Sequence, residues 1–124
     1  MYAPDHIEIV EDRVVFRLTG TVSIDRAMEM VTAAIDYACS HRIRNLMVNA
    51  SNLTGFKPPS IIDRYFFVHD FARAAAGVVR LALVIRPEMI DARKFGRTVA
   101  ANVGFIADIF TTEEDALIWL RRIK

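Results

Sequence analysis

Residues 43–85 read "IRNLMVNASNLTGFKPPSIIDRYFFVHDFARAAAGVVRLALVI", and this stretch specifies the class of fold. It begins with the run 43–50 and ends with the run 78–85, whose centres are apolar at successive positions, as in strands covered on both faces. Between them, residues 59–77 predict a helix closed by Gly77, because glycine readily takes the left-handed conformation after a last turn. A strand, a helix and a strand in this order predict two parallel strands joined by a right-handed crossover.

The same alternation continues toward the carboxyl terminus. "MIDARKFGRTVAANVG" (89–104) predicts a further crossover helix closed by Gly104, and "FIADIF" (105–110) predicts another strand. "TTEEDALIWLRRIK" (111–124) predicts a final helix, with Thr111 and Glu114 in the spacing of a capping box. Each predicted strand after residue 43 is therefore followed by a helix.

The amino-terminal part supplies a hairpin and one more helix. "HIEIV" (6–10) and "RVVFRL" (13–18) are short β-rich runs that predict an antiparallel hairpin, and 23–42 has apolar residues at helical spacing behind Ser23 as N-cap. The order β-β-α-β-α-β-α-β-α predicts an α/β fold with a mainly parallel five-stranded sheet, an N-terminal hairpin and four helices. With 124 residues, we expect a single domain over 1–124.

Composition and charge exclude several classes of function. There are 16 Lys and Arg against 15 Asp and Glu, which leaves a net charge of +1 and no field that would favour nucleic acid. No apolar run approaches the roughly 18 residues that a membrane span needs, and the first residues do not have the pattern of a secretory signal. The lone Cys39 has no partner for an internal disulfide, so we expect a cytoplasmic protein.

The element order, together with "RLALVI" (80–85) and "EEDALIWL" (113–120), resembles the STAS fold of sulphate transporters and anti-sigma factor antagonists, in particular its SpoIIAA-like branch. The resemblance implies a bacterial, non-enzymatic regulatory domain that acts through protein contacts. In the antagonists, the loop after the third strand carries an Asp-Ser-Ser-Gly motif whose serine is phosphorylated. The counterpart here, "VNASNLTGF" (48–56), continues into Lys57, Pro58, Pro59 and Ser60, so the motif is absent. Ser60 and Ser51 remain the candidate phosphorylation sites.

The segment after residue 50 is the predicted binding loop. At the carboxyl ends of parallel strands, side chains and the first turn of the next helix converge on a crevice with free backbone N–H groups. Lys57 beside a helix N-terminus suits an anion or carboxylate. The alternative is that Ser60 is only a cap and that the prolines and Gly55 only shape a turn. The predicted binding residues of this loop are Ser51, Asn52, Thr54, Lys57 and Ser60.

The helix after this loop has more aromatic residues than one core-facing stripe can absorb. Phe66, Phe67 and Phe71 follow Ile61, Ile62 and Tyr65, and at about 100° per residue Phe66 and Phe67 lie on opposite flanks of an acidic line. Such a surplus predicts a homodimer interface, a protein partner's site or the wall of an apolar ligand pocket. The alternative is a helix that is buried within the protomer.

No residue pattern in the chain predicts a reaction. No pair of histidines, and no histidine with a carboxylate, has the spacing of metal ligands, so we predict no metal. No glycine-rich phosphate loop or nucleophile elbow is present, so we predict no cofactor and no catalytic residue. The first hypothesis is a non-enzymatic regulatory or binding module that acts through protein contacts. The second is a small apolar-ligand or lipid carrier that uses the same helix.

Overall fold

The computed structural model describes residues 6–10, 12–91 and 94–123, and it confirms the predicted element order. The strands form one sheet in the order β1-β2-β3-β4-β5, in which β1 and β2 are antiparallel and every later pair is parallel. The elements are β1 (His6–Val10), β2 (Arg13–Thr21), α1 (Ile24–Ser40), β3 (Asn45–Thr54), α2 (Ile61–Ala75), β4 (Arg80–Val84), a 3-10 turn (Pro87–Met89), α3 (Phe95–Asn102), β5 (Ala107–Phe110) and α4 (Glu113–Arg122).

The sheet separates a large core from a small one. Side chains alternate along each strand, so Phe16 and Leu18 of β2 enter the large core that α1, α2 and α3 cover, whereas Val15 enters the small core beneath α4. Both cores include residues from β3 and β4, which explains why their sequences are apolar at successive positions.

The predicted binding loop is shorter than the sequence indicates, because β3 continues to Thr54 and β2 to Thr21. Apolar residues indicate a buried strand in a sequence, but Ser51 and Asn52 are polar, so the sequence does not indicate that β3 continues past residue 50. Arg17 pairs with Asn49, but Thr19 pairs with Asn52, so β3 carries one extra residue at a bulge. A shift of one residue reverses the face of every later side chain, and Leu53 is thereby buried in the large core.

The last two helices begin at residues other than those the sequence indicates. The helix predicted over 89–104 is a 3-10 turn followed by the short α3; residues 92 and 93 of that range lie outside the described residues. The turn is separate because Lys94 takes a left-handed conformation (φ 48°) and both Asp91 carboxylate oxygens accept the Phe95 N–H, at 3.2 and 2.9 Å. Thr112, not Thr111, caps α4, and its hydroxyl accepts from the Asp115 N–H at 3.1 Å.

Candidate functional site

The crossing from β3 to α2 begins at Gly55, where the chain turns against the end of β2. Gly55 has φ +101°, and a Cβ atom built on it would lie 2.7 Å from the Val22 carbonyl oxygen. The neighbouring Thr54 carbonyl accepts the Val22 N–H at 2.7 Å, which brings the two backbones together. Glycine is therefore needed at this position for both its conformation and its lack of a side chain.

The crossing ends at Ser60, the N-cap of α2. Its hydroxyl oxygen accepts the Asp63 N–H at 3.1 Å, so the cap that the sequence predicts is confirmed. Ser60 and Lys57 are both exposed at this end of α2. These two predicted residues therefore lie on the same short, solvent-facing segment, residues 55–60.

The other predicted loop residues lie on the end of β3. Asn52 and Thr54 are exposed, and the Thr54 hydroxyl lies 3.1 Å from that of Thr21 on β2. Ser51 is half-buried at the bulge, where its N–H and its hydroxyl both donate to Asn49 Oδ1, at 3.0 and 2.6 Å. Asn49 thus satisfies the backbone N–H that the bulge withdraws from the strand ladder, and the Ser51 hydroxyl is already engaged.

Sequence reasoning missed the ionic network that supports this bulge. Glu113, in the first turn of α4, accepts two hydrogen bonds from Arg17 at 2.9 Å each and one from Asn49 Nδ2 at 2.7 Å. The Arg17 hydrogen bonds lower the pKa of Glu113 against the opposing effect of burial, and Asn49 lowers it further. An acid in a first turn looks like an ordinary helix-dipole residue, so only the position of α4 over β2 and β3 reveals this role.

Helix α2 leaves part of its apolar surface in water. Ile61, Ile62, Tyr65 and Phe66, here called the α2 patch, are 60%, 69%, 44% and 59% exposed. Phe67 is half-buried and Phe71 is only 5% exposed, and both pack in the large core. Of the three phenylalanines predicted as binding residues, Phe66 alone faces solvent.

Phe67 and Phe71 instead line a narrow crevice, here called the apolar crevice. It has a volume of about 100 Å3 and lies between α1, α2 and the carboxyl ends of β3, β4 and β5. Phe56 and Pro59 of the crossing also line it, and so do two arginines. One of these, Arg64, lies with Nη1 3.8 Å from Asp91 Oδ1. The described lining is therefore almost wholly apolar, and its charged residues are Arg64 and Arg86.

Two classes of site are not found within the described ranges. No group of three or more His, Cys, Asp or Glu side chains among those residues is placed to hold a metal ion. None of the helices in the part of the chain that the structure describes has the length and apolar character needed to cross a bilayer.

Comparison with solved structures identifies the fold. The chain is similar to the anti-sigma factor antagonist SpoIIAA in its unphosphorylated form, with a TM-score of 0.52 and 24% identity over 95% of this chain and 98% of that chain. The chain is also similar to the Bacillus cell fate determinant SpoIIAA in its phosphorylated form, with a TM-score of 0.47 and 22% identity over 94% of this chain and 98% of that chain. Its likeness to the protein TM1081 has a TM-score of 0.49 and 16% identity, over 99% of this chain and 96% of that chain. No family model and no curated protein matches the sequence. The first likeness confirms the predicted SpoIIAA-like, STAS-type α/β fold.

Proposed function

We propose that this protein is a non-enzymatic regulatory module that binds a protein partner through the α2 patch. The observation that carries the proposal is the exposure of its four large apolar side chains, between 44% and 69%, on the first turns of one helix. Complete burial of such a side chain from full exposure contributes about 1.5–3 kcal/mol, and these side chains have about half of that surface left to bury. A contiguous exposed patch of this kind is typical of an interaction surface.

The spacing of the patch suits a helix that lies in a groove. Ile62 and Phe66 are four residues apart, as are Ile61 and Tyr65, so the four side chains form one stripe. The rings of Tyr65 and Phe66 meet edge to face with centroids 5.5 Å apart. Asp63 is exposed on the same helix, whereas Asp70 is paired with Arg73 at 3.3 Å. The partner surface that fits is therefore an apolar groove with a basic group opposite Asp63.

The likeness to SpoIIAA supports a protein partner. That protein is named as the antagonist of another protein, an anti-sigma factor. SpoIIAA is described in an unphosphorylated form, so phosphorylation is a property of that protein. Our candidate for phosphorylation in this chain is Ser60, because it is exposed at the start of α2. A phosphate on the exposed Ser60 would place almost two negative charges next to Ile61 and Ile62. We propose that this charge changes partner affinity, and peptide mapping after incubation with lysate kinases tests Ser60 and Ser51.

Site-specific photo-crosslinking tests the partner site. A photo-reactive phenylalanine analogue at position 66 in host cells is expected to give one discrete crosslinked product, because Phe66 belongs to the proposed contact and is 59% exposed. The matched control carries the analogue at Ile118 on α4, which is 42% exposed. The partner protein in this product is identified, and the free partner is then purified and titrated against the protein. We expect Ile62→Ser to weaken that binding at least about tenfold, which corresponds to about 1.4 kcal/mol.

Two results would contradict the proposed site. One is the same crosslinked product from positions 66 and 118, and the other is unchanged affinity of Ile62→Ser for the purified partner. Light scattering over a concentration series distinguishes the homodimer alternative. A dimer that Phe66→Ser dissociates would mean that a second copy of the chain covers the α2 patch.

The apolar crevice favours a second candidate function, a carrier of a small apolar ligand. Its volume of about 100 Å3 is below the roughly 150 Å3 of a cavity that holds benzene. A lipid would therefore require Phe67 and Phe56 to move. Native mass spectrometry of protein purified without denaturation separates the two functions, because a carrier retains endogenous ligand mass and a contact module does not.

A further inference from the structure

We propose that a second, polar cavity binds a phosphate group, either free or in a small ester. This cavity lies at the amino-terminal ends of the parallel strands, whereas the apolar crevice lies at their carboxyl ends. The first residues of three neighbouring strands lie side by side there, because Arg13 of β2 pairs with Asn45 of β3, and Asn45 pairs with Arg80 of β4. Their side chains share the face of the sheet that α4 covers, since the residues two positions on, Val15, Met47 and Ala82, all belong to the small core. The cavity has a volume of about 350 Å3, and its lining also includes Asp12, Arg42 and Arg44.

Arg80 is the group that most needs an anion. It is only 8% exposed, and its Nε and Nη1 atoms are buried without a hydrogen-bond partner. Desolvation and the nearby positive charge of Arg44 lower its pKa, and the negative charge of Asp12 opposes them only in part. A buried guanidinium is costly unless an opposite charge and hydrogen bonds compensate it. Arg80 therefore favours a negatively charged ligand in the cavity that it lines.

The described residues around Arg80 supply too little negative charge. Asp12 is the acidic residue among those described in the cavity lining, and its Oδ2 accepts from Asn45 Nδ2 at 3.3 Å. Arg42, Arg44 and Arg80 line the same cavity. Guanidinium groups bind phosphate through charge-assisted hydrogen bonds. A volume near 350 Å3 is at the lower end of small-molecule pockets, which leaves space for the organic part of a small ester.

Arg42 provides an independent observation. It follows the last turn of α1 with φ 57°, and its N–H donates to the Cys39 carbonyl at 3.1 Å while the Ile43 N–H donates to the Ala38 carbonyl at 2.9 Å. Glycine is the usual residue in this left-handed position, and a residue with a Cβ atom is strained there. Ala76 and Lys94 take the same conformation elsewhere in the chain, so what distinguishes Arg42 is that it also lines the cavity.

Thermal unfolding of the whole protein in a phosphate series tests the site. At constant ionic strength, maintained with chloride, we expect the melting temperature to rise with the logarithm of phosphate concentration, as for any ligand that binds only the folded state. Glycerol phosphate in place of inorganic phosphate shows whether the site accepts an ester. Phosphate also stabilises folded proteins without a site, because it is excluded from their surface. A rise with either compound that is reduced in Arg44→Gln therefore supports the site, and an equal rise in Arg44→Gln overturns it. An equal rise with chloride alone, or no rise with either, overturns it.

Arg42→Gly separates binding from folding. We expect its melting temperature without phosphate to be unchanged or higher, because the strain is removed, and its phosphate affinity to fall about tenfold, the equivalent of one charge-assisted hydrogen bond. Arg44→Gln, at an exposed position of the same lining, is expected to weaken phosphate binding likewise. The matched control is Arg26→Gln, the same loss of charge in the first turn of α1, at the other edge of the sheet. Full phosphate affinity in both cavity variants, or an equal loss in Arg26→Gln, overturns the proposal.

Discussion

The carboxylate of Glu113 connects α4 to the segment that leads into the binding loop. Through Arg17 it is joined to β2, and through Asn49 to the bulge that places Leu53 in the large core. The pKa of Glu113 is lowered in the folded protein, mainly by Arg17. A carboxyl group of this kind stabilises the fold above its unfolded pKa, near 4.5, and the contribution is lost as the pH falls through the lowered folded value.

Glu113→Gln is therefore expected to lower the free energy of unfolding in a pH-dependent way. At pH 7 we expect a loss of about 1 kcal/mol, a value kept small because both partners are partly exposed to solvent. The difference between the two proteins should shrink as the pH falls below about 4.5, and it should approach zero only below the lowered pKa of folded Glu113. Urea unfolding at several pH values measures this. The control is Glu114→Gln, an exposed neighbour in the same first turn. A loss of stability in Glu113→Gln that is the same at all pH values would contradict the role of the charge.

Helix α2 combines a predictable start with an unpredictable burial pattern. Ser60 caps it as the sequence indicates, and the helix ends at Ala75 with a left-handed Ala76 ahead of Gly77. The surplus of apolar residues indicates that some ring must face water, but only packing against α1 and α3 decides that Phe66 does so while Phe71 does not. The same limit applies to β3, whose polar last residues belong to the strand because β2 pairs with them.

The cap of α2 can be tested without touching the α2 patch. Ser60→Ala is expected to lower the free energy of unfolding by about 1 kcal/mol, because the Asp63 N–H loses its acceptor. Ser60→Asp, which retains an acceptor at the N-cap, should keep most of the stability. Chemical denaturation of the three proteins compares them. If Ser60→Asp were as unstable as Ser60→Ala, the hydroxyl would not act as a cap.

The layered arrangement around the sheet predicts a gradient of local stability. Strand β3 lies between β2 and β4, and its Leu46, Met47 and Val48 are at most 2% exposed. Strand β1 is an edge strand that pairs only with β2, and its Ile9 is 58% exposed. We expect the amides of residues 46–48 to exchange with solvent at least roughly a hundredfold more slowly than those of residues 7–10. Hydrogen exchange followed by NMR measures both segments. Equal protection would mean that the sheet opens only as a unit.

The order of strands and helices follows from local patterns alone, because apolar periodicity, caps and glycines act between residues that are close in the sequence. These patterns predicted the α/β fold and the place where the crossing loop meets α2. The remaining features depend on contacts between distant residues: Arg17 and Glu113 are 96 positions apart, and Asn49 and Glu113 are 64. Arg42, Arg44 and Arg80 likewise line one cavity only because β3 and β4 start at the same edge of the sheet. Local sequence preferences do not determine which distant residues come into contact. The bulge, the exposed face of α2 and the arginine cavity therefore depend on tertiary packing.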